Sequence, residues 1–192
     1  MRVGVFGGTF DPPHVGHLLV AGDVADTLAL DRVLWVPAGT QPFKADQATS
    51  PPADRLAMTR LMALADPRFV CDAIEIERGG LSYAVDTLRS LIAREAGATW
   101  FLCVGADAFR GFSRWREPGA IVGMATVAVL AREGAGADSS ALAAAPGAVE
   151  VPVRRVDVSS TEVRARVRAG RSVQGFVTEP VAAYIAAHGL YR

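Results

Sequence analysis

The sequence predicts an α/β fold: a doubly wound parallel sheet with helices on both faces and a small C-terminal helical region. Three observations predict it. Short apolar runs alternate with segments of helical period along the chain. The runs, such as Thr99 to Val104, are too continuously apolar to leave a wet face, which suits strands covered on both sides. The first run passes directly into a glycine turn and then a helix, the opening of a β-α-β unit.

Taken in order, Val3 to Phe6 reads as a buried strand and Leu18 to Leu30 as a helix. Val33 to Val36 is a second strand, closed by Pro37-Ala38-Gly39. Pro51 to about Ala65 is a helix with Leu56, Leu61 and Leu64 expected on its inner side, stopped by Asp66-Pro67. Phe69 to Ile76 is a third strand, Tyr83 to Ala96 a helix ended by Gly97, Thr99 to Val104 a fourth strand and Met124 to Ala131 a fifth. Val149 to Val158 is a sixth, more polar strand. Ser159 or Ser160 caps a helix through Ala169, and Thr178 caps a last helix through Ala187, ended by Gly189. Residues 133 to 147 read as a Gly/Ala/Ser-rich loop with one short helix and no assigned role. The whole is a Rossmann-like sheet in a single domain, residues 1–192, and such sheets take ligands at the carboxyl ends of their strands.

Composition narrows the classes. The 192 residues are 51% hydrophobic and 21% charged, with a formal net charge of zero, which argues against a general nucleic-acid or anionic-membrane binder. Cys71 and Cys103 sit in apolar runs and read as buried free thiols. No leader and no apolar stretch near the ~20 residues of a membrane span is visible, so a cytoplasmic protein is expected. Lys44 is the one lysine among 20 basic residues, which a GC-rich genome or a chemical requirement would explain.

The densest chemistry is Gly7-Gly8-Thr9-Phe10-Asp11-Pro12-Pro13-His14-Val15-Gly16-His17. Glycines after a strand permit a tight turn and a close ligand approach. His14 and His17 stand three apart at a helix start and share a face. A helix N-terminus favours anions, so a phosphate site is expected, with Gly7, Gly8, Thr9 and Phe10 lining it and the imidazoles reaching phosphate oxygens. His14 and His17 with Asp11 could instead hold zinc, although no further ligand is evident. No Gly-x-Gly-x-x-Gly fingerprint is present, which counts against a dehydrogenase. His188 reads as a surface helix residue.

Gly7 to His17 resembles the signature of the HxGH nucleotidyltransferase superfamily. Val158-Ser159-Ser160-Thr161-Glu162-Val163-Arg164 is similar to the second signature of that superfamily's adenylyltransferases. Ser82-Tyr83-Ala84-Val85-Asp86-Thr87-Leu88, Gly105-Ala106-Asp107, Trp115, Pro37 to Lys44, Tyr184-Ile185 and Leu190-Tyr191 resemble, in order and spacing, the bacterial nicotinate mononucleotide adenylyltransferases. The resemblance spans essentially the whole chain. Alone, Ser159 to Arg164 would read as a capped helix, Trp115 as a partly exposed core tryptophan, Asp107 as an N-cap and Lys44 as a solvated lysine.

The resemblance implies adenylyl transfer from ATP to nicotinate mononucleotide in NAD biosynthesis, with Mg²⁺ carried on ATP and no protein-held metal. His14, His17, Lys44 and Arg164 would act on the phosphates, beside the hydroxyls of Ser159, Ser160 and Thr161. Trp115, next to Arg116, would stack on the pyridine ring, and Asp107 beyond Gly105 would hold a ribose hydroxyl. Ser82, Tyr83, Ala84, Asp86 and Thr87 would meet the nicotinate carboxylate largely through backbone N–H groups. The family usually has threonine at Ala84, which leaves the acceptor as the weaker inference. The alternatives are another acceptor, nicotinamide mononucleotide or phosphopantetheine, or a non-catalytic nucleotide sensor. The sequence leaves homo-oligomerisation open.

Overall fold

A computed structural model describes residues 1–42, 49–132 and 145–192. Six strands, β1 (Arg2–Gly8), β2 (Arg32–Pro37), β3 (Phe69–Cys71), β4 (Thr99–Gly105), β5 (Thr126–Arg132) and β6 (Val149–Val153), form one sheet in the order β3-β2-β1-β4-β5-β6. Every pairing is parallel, as strands with no wet face require. The expected doubly wound sheet is therefore present. The order runs outward from β1 in one direction and, after β4, in the other, so the carboxyl ends of β1 and β4 diverge at a switch point.

The helices are α1 (Val15–Thr27), α2 (Pro52–Ala63), α3 (Ile74–Arg78), α4 (Ala84–Arg94), α5 (Ala106–Phe109), α6 (Pro118–Met124), α7 (Ser160–Arg168) and α8 (Glu179–Ala187). The two-residue period of the strands divides the core. Phe6, Val33, Trp35, Phe101 and Cys103 face Ala21, Val24, Met58, Met62, Val163 and Ile185. Val3, Val5, Leu34, Val36, Leu102 and Val104 face Val85, Leu88, Phe109, Phe112 and Ile121 on the other side.

Four local expectations change. The third strand ends at Cys71, because the Asp72 carboxylate accepts the Ile74 N–H at 3.0 Å and starts α3 where apolar alternation suggested more strand. The sixth strand ends at Val153, where Arg154 turns to the Asp23 carboxylate of α1 through its N–H (3.0 Å) and guanidinium (2.6 Å). Residues 106–124 carry α5, a 3-10 turn (Phe112–Arg114) and α6, which the sequence did not show.

The fourth change matters for the site. α2 buries Arg55, Met58, Thr59 and Met62, while Leu64 is 78% exposed and Leu56 and Leu61 are only half-buried. The expected phase, set by the leucines, is off by about one residue. Most of the loop expected at 133–147 lies outside the described residues.

Candidate active site

The carboxyl ends of β1 and β4 open onto a cavity of about 460 Å³, the location the switch-point rule predicts. Gly7 and Gly8 line it from β1 and Gly105 from β4. Ser82, Tyr83, Ala84 and Thr87 line it from the start of α4, and Trp115 and Arg116 from the approach to α6.

Beside the cavity the first signature turns tightly into α1. The His14 and His17 rings lie 3.7 Å apart between centroids and 31° from parallel, so both occupy one face, as the spacing requires. Gly16 makes this possible, because a Cβ there would stand 2.9 Å from His14 Nδ1. Gly8 likewise leaves room for Phe10, whose ring would lie 2.9 Å from such a Cβ.

The His14 N–H donates to His17 Nδ1 at 3.2 Å. In neutral His17 the ring proton therefore sits on Nε2, which is left as a donor. Phe10 packs edge-on against His17 at 5.1 Å, with Phe6 at 6.4 Å. Burial holds the His14 imidazole down at about 4. Burial, with His14 as neighbour, holds His17 at about 3. Both rings are thus neutral at physiological pH in the free protein and offer hydrogen bonds rather than full charges. His14 Nδ1 is buried with no hydrogen-bond partner among the described residues.

These shifts make a stability prediction. Below the ordinary value of 6.5 the unfolded chain takes up protons that the folded rings refuse until about 4 and 3, so stability falls on acidification through that window. Each imidazole is expected to remove about 2 kcal/mol between pH 7 and pH 5. Urea unfolding at both pH values measures it. A His17→Asn variant should lose less on acidification than the parent, and an equal loss would contradict the assignment.

The second signature docks directly on the first. Ser159 caps α7 by accepting the Glu162 N–H at 3.1 Å. The Ser160 hydroxyl donates to the Pro12 carbonyl at 2.8 Å. Arg164 donates to the Asp11 carbonyl at 2.6 Å and to the Thr161 hydroxyl at 3.3 Å. Residues some 150 positions apart thereby form one wall. The first-turn donors of α1 are less free than expected, since the Val15 N–H bonds to the Phe176 carbonyl at 2.9 Å. The Asp11 carboxylate, offered above as a zinc ligand, accepts the Tyr191 hydroxyl at 2.7 Å and the Ser50 N–H at 3.1 Å. Among the described residues no group of three or more His, Cys, Asp or Glu is placed to hold a metal.

The residues expected on the acceptor side divide. Ser82 accepts the Gly39 N–H at 2.9 Å. Thr87 is buried and donates to Glu75 at 2.6 Å. Glu75 is itself buried on the cavity wall, and burial raises its carboxyl above the ordinary range. Trp115 is half-buried, 5.4 Å from Phe112. Arg116 covers the Tyr83 ring at 4.9 Å and pairs with Asp86 at 3.2 Å, so Asp86 faces Arg116 and is not part of the cavity wall. Asp107 is exposed, pairs with Arg110 at 3.0 Å and also lies off that wall. Lys44 falls outside the described residues. His188 is exposed and stacked on Tyr184. Both thiols are free and burial pushes each up to about 12, with Cys103 buried and Cys71 half-buried.

Sequence reasoning missed Arg55 and Glu75. Arg55 falls in phase with Met58 and Met62, so a cation on the apolar face of α2 was the available signal. Glu75 sat inside what read as a strand.

The model of the cytidylyltransferase-like family matches residues 5–166. A protein of Gemmatimonas aurantiaca named probable nicotinate-nucleotide adenylyltransferase is 45% identical, over 100% of this chain and 93% of its own length. One of Thermus thermophilus with the same name is 42% identical over the full length of both. Among solved structures, the Plasmodium falciparum nicotinic acid mononucleotide adenylyltransferase complexed with NaAD is similar with a TM-score of 0.81. It covers 99% of this chain and 97% of that one at 16% identity, a likeness of fold. No helix among the described residues is long and apolar enough to cross a membrane.

Proposed function

Because the chain belongs to the cytidylyltransferase-like family, among the nicotinate-nucleotide adenylyltransferases, we propose that one domain spanning residues 1–192 joins ATP and nicotinate mononucleotide. The products are nicotinate adenine dinucleotide and pyrophosphate, in cytoplasmic NAD biosynthesis. The observation that carries this reading is the docking of Ser160 and Arg164 in the second signature on Pro12 and Asp11 in the first, beside a cavity of about 460 Å³ at the β1/β4 switch point.

A 5′-phosphate oxygen of the mononucleotide attacks the α-phosphorus of ATP. The bond from that phosphorus to the bridging oxygen breaks, and pyrophosphate leaves with the electron pair. The nucleophile is already an anion, so no general base is needed, and catalysis is alignment plus charge stabilisation. His17 Nε2–H and the His14 ring donate to oxygens of the transferred and leaving phosphates. Neutral donors avoid the large desolvation cost of two adjacent imidazolium ions, and the arriving polyphosphate raises their affinity for protons. Arg164, with Ser159, Ser160 and Thr161, closes the other side of the phosphates around Gly7 to Phe10. Lys44 is assigned to the same phosphates. Mg²⁺ enters with ATP as part of the substrate.

Trp115 stacks on the pyridine ring, and Arg116 keeps Tyr83 and Asp86 in place behind it. The Tyr83 carbonyl already accepts the Asp86 and Thr87 N–H groups. The carboxylate is therefore read by the preceding first-turn N–H groups of Ala84 and Val85, which alanine supplies as well as threonine. Asp107 reaches a ribose hydroxyl by exchanging Arg110.

Pyrophosphate release measured with ATP and, side by side, the acid mononucleotide, the amide mononucleotide and phosphopantetheine tests the reading. The acid should be fastest. Faster turnover of another acceptor would reassign the substrate, and ATP binding with no release on any of them would mark a nucleotide sensor.

A further inference from the structure

Arg55 is 1% exposed, yet no carboxylate among the described residues receives a hydrogen bond from it. Among the described residues its guanidinium donates only to main-chain carbonyls. Nη1 reaches the Thr9 oxygen at 2.9 Å and the Ala38 oxygen at 2.6 Å. Nη2 reaches the Gly39 oxygen at 2.9 Å, and Nε the Ser50 oxygen at 3.1 Å. Burial lowers its pKa and the neighbouring Asp11 carboxylate opposes that shift, which keeps the cation in place. Lysine has a single compact head and cannot spread donors over four carbonyls in a fixed fork.

The carbonyls belong to the two sides of the site. Thr9 lies in the first signature, between Gly8 and Phe10. Ala38 and Gly39 follow β2 on the acceptor side, where Ala38 lines the cavity and the Gly39 N–H donates to Ser82. The Ala38 N–H also bonds to the Gly8 carbonyl at 2.8 Å, so the two loops meet at this point. In a planar trans peptide the carbonyl and N–H point in opposite directions. Drawing the Thr9 and Ala38 oxygens onto a buried cation therefore keeps those lone pairs away from an incoming phosphate.

We propose that Arg55 is a positioning residue that locks the phosphate-side loop to the acceptor-side loop and so fixes how the two nucleotides meet. The inference rests on the reading of the site given above. Misalignment acts on the reacting geometry rather than on either binding site alone, so its loss falls on kcat. A displacement of about 1 Å at reacting atoms costs on the order of 10²-fold in rate.

The test compares wild type with Arg55→Met and Arg55→Lys, each checked for folding by circular dichroism and thermal unfolding. Binding of ATP and of nicotinate mononucleotide is titrated separately from turnover. Folded Arg55→Met is expected to lose about 10²-fold in kcat with each Kd within about 3-fold of wild type. Arg55→Lys, which keeps the charge and loses the fork, should lose at least about 10-fold. A folded variant of either kind with wild-type kcat overturns the proposal, as does a loss confined to Kd. If Arg55→Met does not fold, Arg55→Lys decides. Failure of both to fold assigns Arg55 to stability alone and also overturns it. An inactive wild type would instead defeat the functional reading beneath.

Discussion

A His17→Ala enzyme is expected to fold and to turn over about 10²–10³-fold more slowly than wild type, the usual cost of removing one preorganised donor to a transition-state oxygen. The KM for either nucleotide should change little, because the interaction strengthens as charge moves toward the leaving pyrophosphate. The His14 N–H orients the ring through Nδ1, and Phe6 and Phe10 pack edge-on against it. The same packing that holds the imidazole near 3 makes its remaining N–H a strong donor in a low-dielectric setting. Pyrophosphate release under saturating substrates is the measurement. A folded variant with near-wild-type kcat would remove His17 from the chemistry.

An Arg164→Ala enzyme is expected to lose about 10²-fold in kcat/KM for ATP, on the scale of about 1.5–3 kcal/mol for one hydrogen bond to a charged group. Its effect should be smaller for the acceptor mononucleotide, because Arg164 does not line the cavity that the proposed function gives to it. The residue joins two signatures through the Asp11 carbonyl and Thr161, so on the proposed function its removal would withdraw a cation from the phosphates and loosen the wall the two signatures form. Arg164→Lys separates these contributions. Lysine restores charge but cannot bridge Asp11 and a phosphate with a planar fork, and an intermediate rate is the expected outcome. Equal losses for both substrates would instead point to a general disturbance of the fold.

The first signature was legible because its chemistry is local. Turn glycines, an Asp-Pro-Pro stretch and two histidines three apart specify a strand-turn-helix with both rings on one face, and the structure has that geometry. Parallel strands were legible because burial on two faces leaves no polar alternation. The α2 phase was misread because leucine content suggested an inner side, whereas four main-chain carbonyls accept hydrogen bonds from an arginine there. The strand expected through Ile76 failed for a similar reason, since one Asp72 side-chain bond outweighs alternation over four residues.

Fold class and the strand-turn-helix of the first signature follow from periodicity and from a contiguous motif, which act over a few residues, and the reaction class follows from the family resemblance that the motifs carry. The protonation of the histidines, the bonding of the Asp11 carboxylate to Tyr191, the seating of α7 on the first signature and the bonding of Arg55 to the Thr9 carbonyl follow from burial and from contacts that span 40 to 180 residues. Such contacts leave no periodic trace, because whether a polar group is buried, and beside what, is set by elements brought together only when the chain is packed.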